Sequence, residues 1–301
     1  MKKQIGFIGL GRMGMGMSER LLKKKFRVIA YNRSSDKTKK IMKKGAVGVF
    51  SIEEMVEKLG SGKKIIWLML PAGAPTDEMI KRLLSLLSSG DIIIDGANAF
   101  YKNAEKHARW CKKKGVYFFD CGVSGGIWGS KKGYTLMIGG PKPQFKYIES
   151  FCRALAPPKG YGYFGNVGSG HYVKSVHNII EYIYLQGLAE GVELLNKFKY
   201  PLDLKKATEV WGPASVINSW LLDLTNKALN RKDFKSIGTE IGSVTIKELQ
   251  DTKNAVKGYA PAFDVAVKIR KDKSKKFELG KRTISAVRNE FGGHAVEKSK
   301  R

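Results

Sequence analysis

Acidic residues are scarce in this 301-residue chain: 27 Asp and Glu stand against 55 Lys and Arg, a formal net charge of +28. A nucleic-acid reader would gather that charge on one element or interleave it with aromatics. Here the lysines fall in short, scattered runs: Lys23 to Lys25, Lys39 with Lys40, Lys112 to Lys114, Lys131 with Lys132, and Lys271 to Lys276. The pattern reads as a solvated surface biased toward anionic ligands, and a nucleic-acid partner is not expected. Cysteine is also rare. Cys111, Cys121 and Cys152 are an odd number without metal-ligand spacing, which predicts reduced packing thiols and no metal site. Long apolar runs are missing, so no membrane partner is expected. The opening "MKKQIGFIGLG" leads from lysines into a strand rather than a signal-peptide core, which predicts a cytoplasmic protein. No repeat of solenoid period occurs.

What is present is enough apolar content, 43% of residues, for two ordinary domains with a sizeable core. The first half alternates strand-like runs with amphipathic segments: "IGFIG", "FRVIAY", "AVGVF", "IIWLML", "DIIID", "VYFFDC" and "TLMIGG". That alternation predicts an α/β Rossmann-like domain with a mostly parallel sheet. At "APPKGYGYFGNVGSG" the texture turns to Gly, Pro and Tyr, and beyond it only helical patterns follow, at 170–198, 216–229 and 280–291. The expected division is a dinucleotide-binding domain over 1–165 and an all-α domain over 166–301.

Gly9, Leu10, Gly11, Arg12, Met13 and Gly14 form a G-x-G-x-x-G pattern after a strand and at the start of a helix. Such a turn brings backbone close to a pyrophosphate and aims helix N–H groups at it. About 20 residues on, NAD-selective domains carry a carboxylate for the ribose hydroxyls. This chain has Asn32, Arg33 and Ser34 there, a guanidinium and small polar groups that suit a 2′-phosphate, so NADP is expected rather than NAD. An exposed turn is the alternative. Later strand ends also finish in small or polar residues: Leu70, Pro71 and Ala72, then Asn98, then Ser124, Gly125 and Gly126. Ligands of open α/β sheets lie beyond such ends. The first three can equally just end a strand, whereas Asn98 and the Ser-Gly-Gly loop suit an anionic or hydroxylated substrate.

In "GHYVKSVHNIIEY", Lys174, His177, Asn178 and Glu181 share about 100° of helix arc, with Tyr182 at its margin. A solvated stripe is the ordinary reading of such a face. This one continues as Leu185, Leu188, Ala189 and Val192, so the polarity stops after two turns. A local polar patch on a partly buried helix needs partners, and a polar substrate supplies them. Lys and Glu on one face also make a plausible base and acid.

Together "GLGRMG", "NRS", "DGAN", "SGGIWGSKKGYTLMIGG", "GHYVKSVHNIIEY" and "RNEFGGH" resemble the decarboxylating 6-phosphogluconate dehydrogenases, in their short form, within the β-hydroxyacid dehydrogenase superfamily. The resemblance implies a homo-oligomer, dimer or tetramer, that converts 6-phosphogluconate to ribulose 5-phosphate and carbon dioxide in the pentose phosphate pathway. It implies Lys174 as the base toward the carbon-3 hydroxyl and Glu181 as the acid toward carbon 1. Asn98, Ser124, Gly125, Gly126, His177 and Asn178 would hold the sugar acid. Tyr182, Arg270, Arg288 and His294 would bind its phosphate, the last two in a neighbouring subunit's site.

The chain departs from the family pattern at three places. "DGGN" is "DGAN", with Ala97; "HNGIEY" is "HNIIEY", with Ile179; and the Gly-Lys/Arg-Trp-Thr motif has no counterpart in 242–258, where Lys247 and Lys253 are the unassigned cations. Two alternatives follow: a β-hydroxyacid dehydrogenase for a small unphosphorylated acid, and a non-catalytic basic protein that binds dinucleotide or nucleic acid.

Overall fold

A computed structural model describes residues 3–242 and 245–298. Eight strands form one sheet: β1 (Gln4–Ile8), β2 (Arg27–Tyr31), β3 (Val47–Gly48), β4 (Ile65–Leu68), β5 (Ile92–Asp95), β6 (Tyr117–Ser124), β7 (Thr135–Gly139) and β8 (Tyr161–Gly165). Their order is β3-β2-β1-β4-β5-β6-β7-β8, parallel except where β7 runs against β6. Helices α1 (Arg12–Lys23), α2 (Ser35–Met42), α3 (Ile52–Leu59), α4 (Ala74–Leu84), α5 (Tyr101–Lys112), α6 (Gly129–Lys132) and α7 (Phe145–Leu155) connect them. Both sheet faces are covered, which is why the central strands read as continuous apolar runs. Ile5, Phe7, Ile92 and Ile94 pack with Met17 and Leu21 of α1, while Ile8, Ile29 and Ile93 pack with Met55 of α3 and Ile80 of α4. The order reverses between β1 and β4, the switch point where such sheets hold ligands.

Strand β8 lies inside the Gly/Pro/Tyr stretch expected to be a connection. Its Tyr161, Gly162 and Tyr163 are half-buried and Phe164 is 50% exposed, so an edge strand replaces the buried run that signalled the others.

The second half is mostly helical: α8 (Ser169–Asn196), α9 (Leu204–Val210), α10 (Trp220–Leu229), α11 (Ile246–Ala255), α12 (Pro261–Lys271) and α13 (Glu278–Gly292). One isolated antiparallel bridge joins Ile237 to Lys298. Leu185, Ala189 and Val192 of α8 pack with Leu224 and Ala228 of α10 and Ile284 and Val287 of α13. Asp203 caps α9 by accepting from Lys205 and Lys206 N–H, and Ser219 caps α10 by accepting from Leu222 N–H. The chain divides into compact units Met1–Val176 and His177–Arg301. That division falls inside α8, later than the expected 165/166, because the first two turns of α8 pack on the sheet. A Cβ on Gly170 would meet the Met137 and Asp120 carbonyl oxygens at 2.3 and 2.7 Å.

Candidate active site

The glycine loop sits at the switch point. Gly9 has φ +96°, and a Cβ there would lie 2.4 Å from the Met69 carbonyl oxygen; one on Gly14 would lie 2.0 Å from that of Gly9. These two glycines are fixed by packing. Gly11 differs, since a Cβ there meets nothing within 4 Å. Its open side, with α1 starting at Arg12 without a side-chain cap, is the space a pyrophosphate needs. The residues therefore fit a dinucleotide. The Asn32 side chain accepts from Leu10 N–H at 2.8 Å and donates to the Ser34 carbonyl at 3.2 Å, tying the glycine loop to the end of β2. Arg33 and Ser34 beside it are exposed. In the next loop Pro71 is exposed, Leu70 and Ala72 are half-buried, and Thr76 donates to the Pro71 carbonyl at 2.8 Å.

After β5 the buried Asp95 accepts from Ala97 N–H at 2.9 Å and so shapes the loop that exposes Asn98. The methyl of Ala97 is buried, 3% exposed, so the "DGAN" variant is accommodated by packing. His107 of α5 faces Asp95 at 3.6 Å, longer than a hydrogen bond, and meets Asp77 at 2.6 Å on its other nitrogen. Burial pushes the Asp95 carboxyl up, but His107, His171 and the Ala97 N–H outweigh it and hold the group below its usual range.

The end of β6 carries Ser124, Gly125 and Gly126, half-buried, the two glycines with φ +122° and +52°. Lower on the strand, Asp120 accepts from Gly168 and His171 N–H, both at 2.7 Å, and so caps the start of α8 with a carboxylate. Gly122 lets that helix approach, since a Cβ there would fall 2.3 Å from the Lys174 Cβ. Asp120, His171 and Gly122 set where Lys174 sits, and none stood out in the sequence. The "FFDCG" run within β6 and the His three residues before the lysine were the available signals.

Along α8 the polarity is inverted. Lys174 and Asn178 are buried, each 8% exposed, and Glu181 is half-buried, whereas Ile180 and Leu194 on the opposite face are 59% and 72% exposed. The patch is thus not a solvated stripe. His177 Nδ1 lies 3.1 Å from Asn178 Oδ1. Ile179 points into an apolar cluster with Tyr182, Leu249, Phe263 and Val267, so its replacement of glycine serves packing.

Tyr182 and Arg270 come together. The guanidinium lies over the Tyr182 ring, 3.4 Å from its centroid. Arg270 is 8% exposed, and none of its three nitrogens has a hydrogen-bond partner among the described residues. Burial pushes its pKa down to about 10, Tyr182 and Glu181 pull it up, and neighbouring Arg288 pushes it down. Arg288 is 9% exposed and donates to the Gly242 carbonyl, so its charge acts beside Arg270 within its own chain. His294 follows the left-handed Gly293 at the end of α13, edge-on to Phe291, its carbonyl accepting from Asn289. Lys247 and Lys253 are paired with Asp251 and Asp264, both at 2.5 Å.

The three cysteines are buried and free, and burial pushes the Cys111 and Cys152 thiols up to about 12, which makes them inert at neutral pH. Among the described residues no helix is long and apolar enough to cross a membrane.

Residues 4–165 match the family profile for the NAD binding domain of 6-phosphogluconate dehydrogenase, and 170–258 that of its C-terminal domain. YqeC of Bacillus subtilis (strain 168), provisionally named a 6-phosphogluconate dehydrogenase, is 32% identical over 98% of this chain and 99% of its own length. An NAD(+)-dependent, decarboxylating 6-phosphogluconate dehydrogenase of Haloferax volcanii is 38% identical over 80% of this chain and 78% of its own. The chain spans only about half of several longer relatives so named, 51% in one case. Among solved structures, 6-phosphogluconate dehydrogenase of Plasmodium falciparum aligns with TM-score 0.79 and 30% identity over 89% of this chain and 61% of that one. The fold is shared with Mycobacterium tuberculosis 3-hydroxyisobutyrate dehydrogenase, TM-score 0.77 at 21% identity over 96% and 100% of the two chains.

Proposed function

Because the chain belongs to the family of the 6-phosphogluconate dehydrogenases and their β-hydroxyacid dehydrogenase relatives, we propose that it oxidises and decarboxylates 6-phosphogluconate, with NADP as oxidant. The observation that carries the phosphorylated substrate is Arg270. A buried guanidinium with three unpartnered nitrogens, next to a second arginine, calls for an anion, and a phosphate accepts from both. A small unphosphorylated acid leaves that pair uncompensated. Arg33, with no carboxylate at the end of β2, supports NADP.

A nicotinamide dinucleotide held at the glycine loop would supply a hydride acceptor. Lys174, neutral before the step, takes the proton of the carbon-3 hydroxyl as the hydride leaves that carbon. The new carbonyl is β to the carboxylate and accepts the electron pair released at carbon 2 when carbon dioxide departs. Lys174, now an ammonium, stabilises the enolate oxygen. Glu181, two turns along the same helix, protonates carbon 1 as the enediol collapses to the ketone. His177 and Asn178, between them in the helix, would hold hydroxyls, and Asn98 and Ser124 to Gly126 would hold the carboxylate end. The apolar face of α8 formed by Val176, Ile180 and Leu194 supports assembly with a second copy.

The test is reduction of NADP and, separately, NAD with 6-phosphogluconate, gluconate or 3-hydroxyisobutyrate, with carbon dioxide trapped. Turnover of 6-phosphogluconate with stoichiometric carbon dioxide is expected. Turnover of an unphosphorylated acid alone would replace this reading by the wider superfamily's. Lys174→Met is expected to lower kcat at least ~10³-fold; normal turnover would overturn the base assignment.

A further inference from the structure

Two of the dispersed lysine runs, with two further lysine pairs, are gathered by the winding of the sheet. Five connections lead from a helix back to a strand along one edge: 24–26, 43–46, 60–64, 85–91 and 113–116. Four of them hold a lysine pair: Lys24 with Lys25, Lys43 with Lys44, Lys63 with Lys64, and Lys113 with Lys114. The single acid among them, Asp91, is 3% exposed and lies 3.8 Å from Lys64. The five connections on the opposite edge, 9–11, 32–34, 49–51, 69–73 and 96–100, hold one charge, Arg33. Two edges of one sheet therefore differ by seven cations, and the basic one is remote from the glycine loop.

Helix dipoles do not account for this. The last turns already carry Arg20 and Lys23, Lys39 and Lys40, Lys58, Lys81 and Arg82, and Arg109 and Lys112, and the pairs come after them. Aromatic rings accompany the cations. Lys63 Nζ lies 4.8 Å from the Tyr147 centroid and 5.7 Å from that of Tyr117, and Tyr147 is 40% exposed. Lys3, Lys24, Lys146, Arg153 and Phe26 line a cavity of about 440 Å³ beside them, with Glu149 held by Arg153 at 3.2 Å.

We propose that this edge binds single-stranded nucleic acid through its phosphates, with Tyr147 as a stacking platform. From β3 to β6 the cations recur across five strand intervals, roughly 24 Å at about 4.8 Å each, which suits a linear polyanion and far exceeds one phosphate. The exposed ring favours an unpaired base over a duplex. Among the described residues these connections expose no Leu, Ile, Phe or Trp, which sets the edge apart from a bilayer-inserting surface. The inference is independent of the substrate reading.

The experiment is fluorescence anisotropy of labelled 20-nucleotide oligo-U with the full chain over a salt series. With four to six phosphates contacted, log K should fall with log salt at a slope of about −3 to −4. The variant K24Q/K25Q/K63Q/K113Q/K114Q should lose at least ~30-fold in affinity, whereas K268Q/K271Q/K273Q/K275Q/K276Q, which removes equal charge from the helical unit, should lose under ~3-fold. Tyr147→Ala should lose about fivefold or more. Saturating NADP should leave binding unchanged, and thermal midpoints check that the variants fold. Equal losses in both charge variants, competition by NADP, tighter binding of a duplex, binding only to phosphatidylserine vesicles, or no binding at 50 mM salt would each overturn the proposal.

Discussion

In the sheet unit, Asp95 is 1% exposed and its carboxyl is met by His107, His171 and the Ala97 N–H. In the helical unit, Arg270 is 8% exposed and its guanidinium is met by a ring face and by a second arginine. Both are charges taken out of water, which is costly for each. The first is compensated inside the chain, so its work is to fix the Asn98 loop and the start of α8. The second is only partly offset by Glu181 and Tyr182, and none of its nitrogens has a hydrogen-bond acceptor among the described residues. Burial alone does not mark a functional charge; burial that leaves the hydrogen-bonding groups unmet does.

Removing the less compensated charge should break the comparison most visibly. Arg270→Met is expected to raise the KM for 6-phosphogluconate about 100-fold, near 3 kcal/mol, with kcat changed far less. The same variant should be more stable without substrate, by about 1–3 kcal/mol in urea unfolding, because a depressed arginine pKa means the folded state disfavours the charge. Inorganic phosphate should raise the thermal midpoint of the natural chain and not that of the variant. A destabilised variant with unchanged KM would place Arg270 with Asp95, as a structural charge.

Asp95→Asn tests the other half. Breaking a buried, paired charge is expected to cost about 3 kcal/mol of unfolding free energy. The pH dependence has a definite sign. Burial works against ionisation of Asp95 and Asp77, but His107, with His171 at the first and Lys106 at the second, holds both carboxyls below their usual range. The unfolded chain therefore binds more protons in acid. Their contribution is fully present above the unfolded carboxyl pKa of about 4 and is lost as pH falls through the lower folded values. Urea midpoints between pH 7 and pH 3 should fall steeply for the natural chain and more gently for Asp95→Asn.

Gly122→Ala asks whether the compensated framework positions Lys174. Its methyl would fall 2.3 Å from the Lys174 Cβ, so the helix start must shift. A stability loss of about 1–3 kcal/mol is expected. It should come with a fall in kcat larger than any rise in KM, since phosphate contacts are carried by other elements. Unchanged kcat would remove Gly122 from the positioning of the lysine.

Legibility in the sequence followed how local each signal was. The glycine loop and the polar patch of α8 are written in contiguous residues, and both were readable. Strand β8 was not, because an exposed edge of Tyr and Gly lacks the apolar run that marked the other strands. Nor were α9, α11 and α12, which are short and interrupted by lysines. The frame around Lys174 was invisible for a different reason: His171 meets the Asp95 carbonyl across 76 residues of sequence, and Asp120 caps α8 across 51. Two of the four lysine pairs, at 24/25 and 113/114, lie in runs noted in the sequence, and the four become an edge only through the strand order.

The smallest effect is expected at the missing Gly-Lys/Arg-Trp-Thr motif. Lys247 has an 83% exposed side chain and an ion pair with Asp251 one turn along α11. Such pairs contribute little, so Lys247→Gln should leave stability within about 0.5 kcal/mol and the KM for 6-phosphogluconate within about twofold. If the KM rose tenfold instead, Lys247 would be a third phosphate cation, and the comparison would lose its contrast between a charge paired within the chain and one that waits for substrate.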